Sequence, residues 1–341
     1  MIGIDIGDSS IKLVRLSKKS RRRLQSYCWE NMPEGAVQSG VIKNEDKVAQ
    51  VIKKAMYSCK MDTQIKDVVV ASIPETQSFL RVVEVPLMEE DEVAEAVQWE
   101  VAQHIPFGLE NVYLDWQPLA GAGHEFEGRM EVLVGASQKK VVDSIYRVLN
   151  GIGLDVAALE LESQAIIRAL VSGELMRKQG LLIVDLGGSS TNVVVHDHGA
   201  MRFTASLQKG VRTFYSALSP ADVKMLSRPP DGSTLKNSAA IAKSLRPYQE
   251  ELVMEIRGIA EFYNGIDARH HVREIVLTGG GANLPGFDQV FLQYFDNVHV
   301  QRGNPWVNVL RPGRKVEVPM NLQESVHYTT ALGLALREVV V

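Results

Sequence analysis

The sequence predicts an α/β protein of two related halves flanking a cleft, with a small α+β subdomain inserted in the first half. Three observations predict it. First, Leu181-Leu-Ile-Val-Asp-Leu-Gly-Gly-Ser-Ser-Thr-Asn-Val-Val-Val195 repeats, without a gap, the opening Ile2-Gly-Ile-Asp-Ile-Gly-Asp-Ser-Ser-Ile-Lys-Leu-Val14. Asp5 falls on Asp185, Gly7 on Gly187, Ser9 on Ser189 and Ser10 on Ser190. Second, the first copy leads into a strand, helix, strand order. Third, a late apolar run, Glu274-Ile-Val-Leu-Thr278, breaks into three consecutive glycines before a further helix pattern.

Each Asp-x-Gly copy is an apolar run, a tight turn with small hydroxyl residues, and a second apolar run, which is the pattern of two paired strands. Such a turn offers backbone N–H groups and hydroxyls beside a carboxylate, a combination that suits a phosphate chain carrying a divalent cation. Residues 24–29 can continue the sheet. Asn44 to Cys59 carries Val48, Val51, Ile52, Ala55 and Met56 at helical spacing, and 67–73 is a short strand closed by Pro74.

From Phe79 the pattern changes. Residues 79–85 read as a strand that passes Pro86 into the acidic helix start Glu89-Glu-Asp-Glu92, where negative charge favours the positive end of the helix dipole. Val93, Val97 and Val101 form its stripe, and the helix stops near His104-Ile-Pro106. His104, isolated at a helix end, reads as a capping or packing residue. Residues 113–118 and 129–136 are two strands around a Gly-rich loop. The insert therefore covers about 76–136 of a first half spanning 1–160.

Val141, Val142, Ile145, Val148 and Leu149 mark a helix, 154–161 a strand, and 163–176 a helix that opens the second half, 161–341. Glu160 and Glu162 stand at the end of that strand. Either could hold a water near a bound phosphate as a catalytic carboxylate, or both could be ordinary surface groups. After the second Asp-x-Gly copy come a strand over 201–207, a turn-rich interruption at Arg228-Pro-Pro-Asp-Gly232, and a long helix opened by Pro247 with an apolar face from Leu252 to Tyr263. Gly279, Gly280 and Gly281 either form a flexible turn or let the backbone approach a planar ring or ribose closely. A small-residue helix over 328–337, with Gly333 free to permit close packing, lies in a closing segment, 320–341, expected to pack back on the first half.

Composition narrows the function. The chain has 341 residues and a formal net charge of −4, so no broad positive field points to nucleic acid, and Arg21-Arg22-Arg23 reads as a solvated loop. Two cysteines, Cys28 and Cys59, make neither a disulfide framework nor a metal-ligand pattern, and fit a reducing, cytoplasmic setting. No run approaches the ~20 apolar residues of a membrane span. Membrane contact is therefore expected to be peripheral, through a partner.

Taken together, the two Asp-x-Gly turns and the strand ending in three glycines resemble the actin, Hsp70 and sugar-kinase superfamily, over essentially the whole chain. The fold implied is actin-like (ribonuclease H-like). Within that superfamily the sequence most resembles the PilM family of type IV pilus assembly proteins. The narrower likeness is carried by Val85-Pro86, the segment Ala96-Val-Gln-Trp-Glu-Val-Ala-Gln-His-Ile-Pro-Phe107, Tyr113-Leu-Asp115, Leu159-Glu-Leu-Glu162, Ile167-Arg-Ala-Leu170 and Ala331-Leu-Gly-Leu-Ala-Leu-Arg337.

The resemblance implies ATP and Mg²⁺ in the cleft, with Asp5 and Asp185 holding the metal through waters. It implies Gly7, Ser9, Ser10 and Lys12 on one side of the phosphates, Gly187, Gly188, Ser189, Ser190 and Thr191 on the other, and Gly279, Gly280 and Gly281 along the adenosine. It also implies a groove for the N-terminal cytoplasmic peptide of a PilN-like membrane protein, contacts with other inner-membrane platform proteins, self-association, and a cytoplasmic place peripheral to the inner membrane. The chain departs from the family where Gly-Gly-Asp is usual. Here Gly210 is kept but Val211 and Arg212 follow, and Asp222-Val-Lys-Met-Leu226 matches only faintly, so the expectation is ATP binding with slow or absent hydrolysis. Two other readings share the cleft: a small-molecule (sugar) kinase, and an FtsA-like polymerising division protein, whose C-terminal amphipathic anchor has no counterpart after Arg337.

Overall fold

A computed structural model describes residues 1–17, 23–61, 68–88, 90–102, 105, 108–119, 125–126, 128–173, 175, 180–226, 238–266, 271–309 and 320–338. His104, Pro106, Phe107, Arg21, Arg22 and the stretch 228–232 lie outside the described residues.

In the first half, β1 (Ile2–Ile6), β2 (Ser10–Leu16) and β3 (Leu24–Asn31) form an antiparallel meander. A two-strand hairpin, β4 (Val37–Gln38) and β5 (Val41–Ile42), leads to α1 (Glu45–Ser58). That helix starts where Asn44 accepts a hydrogen bond from the Lys47 N–H, satisfying one of the free amides of the first turn. It buries the five apolar residues its spacing predicts. β6 (Val68–Ile73) returns parallel to β1.

The insert follows: β7 (Ser78–Pro86), α2 (Glu90–Ala102), β8 (Val112–Pro118), β9 (Glu125–Phe126) and β10 (Arg129–Gln138). Val93, Val97 and Val101 of α2 lie fully buried against β7 and β10. Then α3 (Lys139–Gly151) and β11 (Asp155–Leu161), parallel to β6, complete a sheet of order β11-β6-β1-β2-β3. α4 (Glu162–Leu170) crosses to the second half; it ends at Leu170, short of the expected 176, because Val171 is extended.

The second half repeats this plan strand for strand. β12 (Leu181–Leu186), β13 (Thr191–Asp197) and β14 (Ala200–Leu207) form the meander. The short α5 (Val211–Phe214) and α6 (Pro220–Leu226) precede α7 (Ser238–Asn264). β15 (Glu274–Thr278), α8 (Phe287–Tyr294) and β16 (His299–Arg302) then add two parallel strands, giving the order β16-β15-β12-β13-β14. Two half-sized echoes in sequence thus become two sheets of one topology.

Pro247 does not open the long helix. α7 begins at Ser238 and carries Pro247 within it. A proline there forfeits one intrahelical hydrogen bond, a loss offset by burial of Ile241 and Leu245 before it and Leu252, Val253, Ile256, Ala260 and Tyr263 after it.

The cysteines are a second correction. β3 points Cys28 inward beneath α1, whose end carries Cys59, and the two are paired in a disulfide with Cα atoms 5.9 Å apart. A pair 31 residues apart has no sequence signature, because only the docking of α1 on β3 brings it together.

The insert is joined to both halves. By chain it leaves and re-enters the first half, but β7 pairs with β14 through Phe203 and Arg81, so the second-half sheet continues β14-β7-β10-β8. Arg202 on β14 and Glu131 on β10, both nearly buried, form a bidentate ion pair across this seam at 2.5 Å.

The closing segment, α9 (Leu322–Ser325) and α10 (Thr329–Ala335), packs on β1, β2 and α4. Backbones touch there. A Cβ on Gly3 would sit 2.0 Å from the Ala331 carbonyl oxygen, and one on Gly333 would sit 1.9 Å from that of Ala165. Gly333→Ala is therefore expected to lose about 3 kcal/mol in chemical denaturation, despite alanine's better helix propensity, because backbone must move. Gly151→Ala, with nothing within 4 Å, should leave the midpoint unchanged or slightly raised.

Candidate functional site

The β1–β2 and β12–β13 turns face each other across a cleft of about 1120 Å³. They match in detail: the Gly7 N–H donates to the Ser10 carbonyl and the Gly187 N–H to that of Ser190, each at 3.0 Å. They also touch, since a Cβ on Gly188 would fall 2.3 Å from Ser9 Oγ. Gly7, Ser9, Ser10, Lys12, Gly187, Gly188, Ser189 and Ser190 all line the cleft, with Asp5 and Asp185 between the turns. Thr191 does not: it is fully buried, and its hydroxyl donates to the Lys209 carbonyl at 2.6 Å.

Lys12 Nζ donates to Asp5 Oδ2 at 2.9 Å. Burial pulls its pKa down, but the charge and hydrogen bond of Asp5, with Asp185 and Glu162 nearby, leave it above the usual lysine value. Lys12 is thus a fixed cation among carboxylates. Asp185 is pushed up to about 6, first by burial and then by Asp5 and Glu75, against the opposing pull of Lys12.

Glu160 and Glu162 part company. Glu160 is buried away from the cleft and ion-paired to Arg168 at 2.6 Å and to Arg337, so it ties α4 and the segment just after α10 to β11. Glu162 lines the cleft. Its Oε2 accepts hydrogen bonds from Asn192 Nδ2 at 2.8 Å and from the Glu75 N–H at 3.4 Å, and Glu75 Oε2 in turn accepts the Ser163 N–H at 3.2 Å. Burial, Asp5, Asp185 and Glu75 together hold Glu162 well above the usual carboxylate range.

Of the three glycines, Gly279 and Gly280 line the cleft and Gly281 does not. Gly279 has φ +77° and sits against Asp185, Gly281 is packed on Leu186 and Val211, and Gly280 is held against the His327 ring, where a Cβ would lie 2.9 Å from Cε1 and Nδ1. Gly210 is retained for space as well: its Cβ would lie 2.7 Å from the Gly188 backbone. The Val211 and Arg212 amides donate to the Gly187 and Gly188 carbonyls at 3.0 and 2.9 Å, docking α5 on the second turn. Arg212, Lys224 and Met225 line this end of the cleft, where the family's usual aspartate is absent.

Several cleft residues were missed in the sequence reading. Asn192 had a signal, because the internal alignment sets it on Lys12, and each is the strand partner of its turn's aspartate. His327 and Trp29, which meet at the base of the cleft with ring centroids 5.3 Å apart, had none.

This geometry fits a nucleoside phosphate with a hydrated cation. Two hydroxyl-bearing turns, Lys12 and two facing carboxylates would supply phosphate and cation partners, and a cleft of about 1120 Å³ has room for the nucleoside. Among the described residues no three His, Cys, Asp or Glu side chains converge closely enough to chelate a metal. An ion held by Asp5 and Asp185 would keep most of its water shell, as Mg²⁺ prefers.

The family model described as type IV pilus assembly protein PilM matches residues 3–339. This chain belongs to that family. Its fold matches that of a PilM-PilN type IV pilus biogenesis complex with a TM-score of 0.83 at 26% identity, covering 100% of this chain and 98% of the other. The ethanolamine utilization protein EutJ of Carboxydothermus hydrogenoformans shares the fold at 15% identity, with a TM-score of 0.59 over 98% of this chain and 88% of that one. The cell division protein FtsA of Borreliella burgdorferi is 26% identical over 213 residues, 52% of this chain and 49% of its own length. The chain spans about half the length of the first curated relatives it matches. The fold is the actin-like one that the duplicated turns imply. Among the described residues no helix is long and apolar enough to cross a membrane.

A proton and a cation compete for Asp185. Since its carboxyl is pushed up to about 6, Mn²⁺ titrated into the protein, as a probe for a cation between Asp5 and Asp185, is expected to bind about tenfold more weakly at pH 5 than at pH 7.5. Asp185→Asn should bind weakly at both pH values, which calorimetry can read.

Proposed function

We propose that this chain is a nucleotide-binding assembly protein of a type IV pilus inner-membrane platform, holding Mg²⁺–ATP in its cleft and the N-terminal cytoplasmic peptide of a PilN-like partner on its first half. One observation carries the nucleotide reading: two equivalent Asp-x-Gly turns in contact across a cleft, with Asp5, Asp185 and Lys12 between them. Membership of the PilM family and the full-length likeness to a PilM-PilN complex support the partner.

Bound Mg²⁺ would offset phosphate charge and draw the two halves together. Asp5 and Asp185 are the carboxylates placed to hold its water shell. Lys12 can exchange its Asp5 oxygen for a phosphate oxygen, and Ser9, Ser10, Ser189 and Ser190 supply hydroxyls from both sides. Glu162, held by Asn192, is the group positioned to orient a water. Binding with slow or absent turnover is expected from Val211 and Arg212, which follow Gly210 at the other end of the cleft. A cleft that closes on ATP can then alter a partner surface by differential affinity alone.

Asp5→Ala and Asp185→Ala are each expected to abolish Mg²⁺–ATP binding in calorimetry while leaving the circular dichroism spectrum intact. Unchanged affinity would remove the nucleotide reading. For the partner, Arg81→Glu on β7 should weaken binding of a synthetic PilN-like N-terminal peptide by about tenfold or more, with ATP affinity unaltered. A peptide affinity equal to that of the unmodified protein would place the groove elsewhere.

A further inference from the structure

His327 has no role in the reading above, yet its surroundings fix its chemistry. It lies just before α10, 7% exposed, and lines the cleft. Asn283, on the turn after Gly281, donates from Nδ2 to the Gln323 carbonyl at 2.7 Å. That bond sets the amide's orientation, because a flipped amide would bring two oxygens together. The same Nδ2 stands 3.3 Å from His327 Nε2. Nε2 therefore accepts, and the ring proton is on Nδ1. Burial, and then the charge of Lys12, hold the imidazole neutral, with its pKa pushed down to about 3.

The Nδ1–H has no hydrogen-bond partner among the described residues. It faces Gly280, where a Cβ would lie 2.9 Å from both Nδ1 and Cε1. Trp29 backs the ring at 5.3 Å and also lies 5.9 Å beneath the Lys12 ammonium. A neutral donor of fixed tautomer thus lines the cleft beside Gly280 and shares Trp29 as a neighbour with Lys12.

We propose that His327 is a nucleotide-binding residue whose Nδ1–H donates to an acceptor oxygen where the sugar meets the phosphate chain. This rests on the cleft being a nucleotide site. Because Asn283 belongs to the second half and His327 packs on the first, the same ring joins the two halves under the ligand, and its hydrogen bond to nucleotide adds to closure.

The test uses the full chain, with ADP and Mg²⁺ in calorimetry. Asparagine places a donor where Nδ1 was, and glutamine places one where Nε2 was, facing the Asn283 donor. His327→Ala and His327→Gln are expected to weaken ADP by about tenfold, with His327→Asn staying within about threefold of the unmodified protein. Thermal unfolding of each variant separates this pattern from a general loss of fold. Repeating the titrations with AMP and adenosine assigns the oxygen: a loss confined to AMP places it on the phosphate, and an equal loss with adenosine places it on the sugar. The tautomer is read independently by ¹⁵N resonances of the ring in ligand-free protein, which should show Nδ1 protonated at pH 7. An Nε2-protonated ring, or equal ADP affinity in all four proteins, overturns the proposal. Failure of the unmodified protein to bind ADP overturns instead the reading of the cleft itself.

Discussion

Asp5, Asp185 and Glu162 converge from three elements on one buried space, and among the described residues Lys12 is the cation that lies among them. Carboxylates so placed repel one another, and their burial weakens the screening that water gives at a surface. The ligand-free site relieves this by raising Asp185 and Glu162 and by pairing Lys12 with Asp5. On the proposed nucleotide reading, a divalent cation would relieve it better. The rest of the molecule serves to bring these carboxylates together: two sheets of one topology, each ending a strand at an aspartate.

Neutral contacts join the halves as well as the Arg202–Glu131 and Glu160–Arg168 ion pairs. Thr278 and Thr329 hydroxyls lie 2.7 Å apart beneath the cleft, and Asn283 reaches His327. On the open side, Ser39 Oγ lies 3.3 Å from Gln208 Oε1. The Ser39 loop is itself held by Asp8 of the first turn, whose carboxylate accepts the Ser39 and Gly40 amides at 2.8 and 2.9 Å. Thr76 and Gln77, at the entry to the insert, donate to the Ser39 carbonyl, and Gln138, at its exit, donates to Gln77. The insert is thus hydrogen-bonded to the β1–β2 turn while its sheet is fused to the second half through β7 and Arg202–Glu131. Relative motion of the halves must load these two connections.

What the sequence made legible follows from which forces are local. Duplicated turns, strand ends and the faces of α1 and α2 were readable, because apolar period and turn chemistry are written over neighbouring residues. Pro247 misled, because a proline's local penalty is outweighed by burial that only tertiary packing supplies. Cys28 and Cys59 were read as unpaired for the same reason, since their approach depends on how α1 docks. In the site, Asp5, Asp185 and the serine-bearing turns were legible from the repeat. Gly281 and Thr191 share those motifs but face their own half, because alternation along a strand and the packing of Leu186 decide their direction. Asn192 was readable in principle as the partner of Lys12 in the alignment. His327 and Trp29 come from separate segments with no common pattern, and only the folded chain brings them to the cleft, as it brings Glu75 behind Glu162.

The most direct test of this account is a crystal structure with Mg²⁺ and a non-hydrolysable ATP analogue. The account predicts a hydrated ion between Asp5 and Asp185, phosphates between the two turns, and Lys12 Nζ moved from Asp5 to a phosphate oxygen. Nucleotide bound outside the cleft, or an ion-free site with the Lys12–Asp5 pair intact, would contradict it.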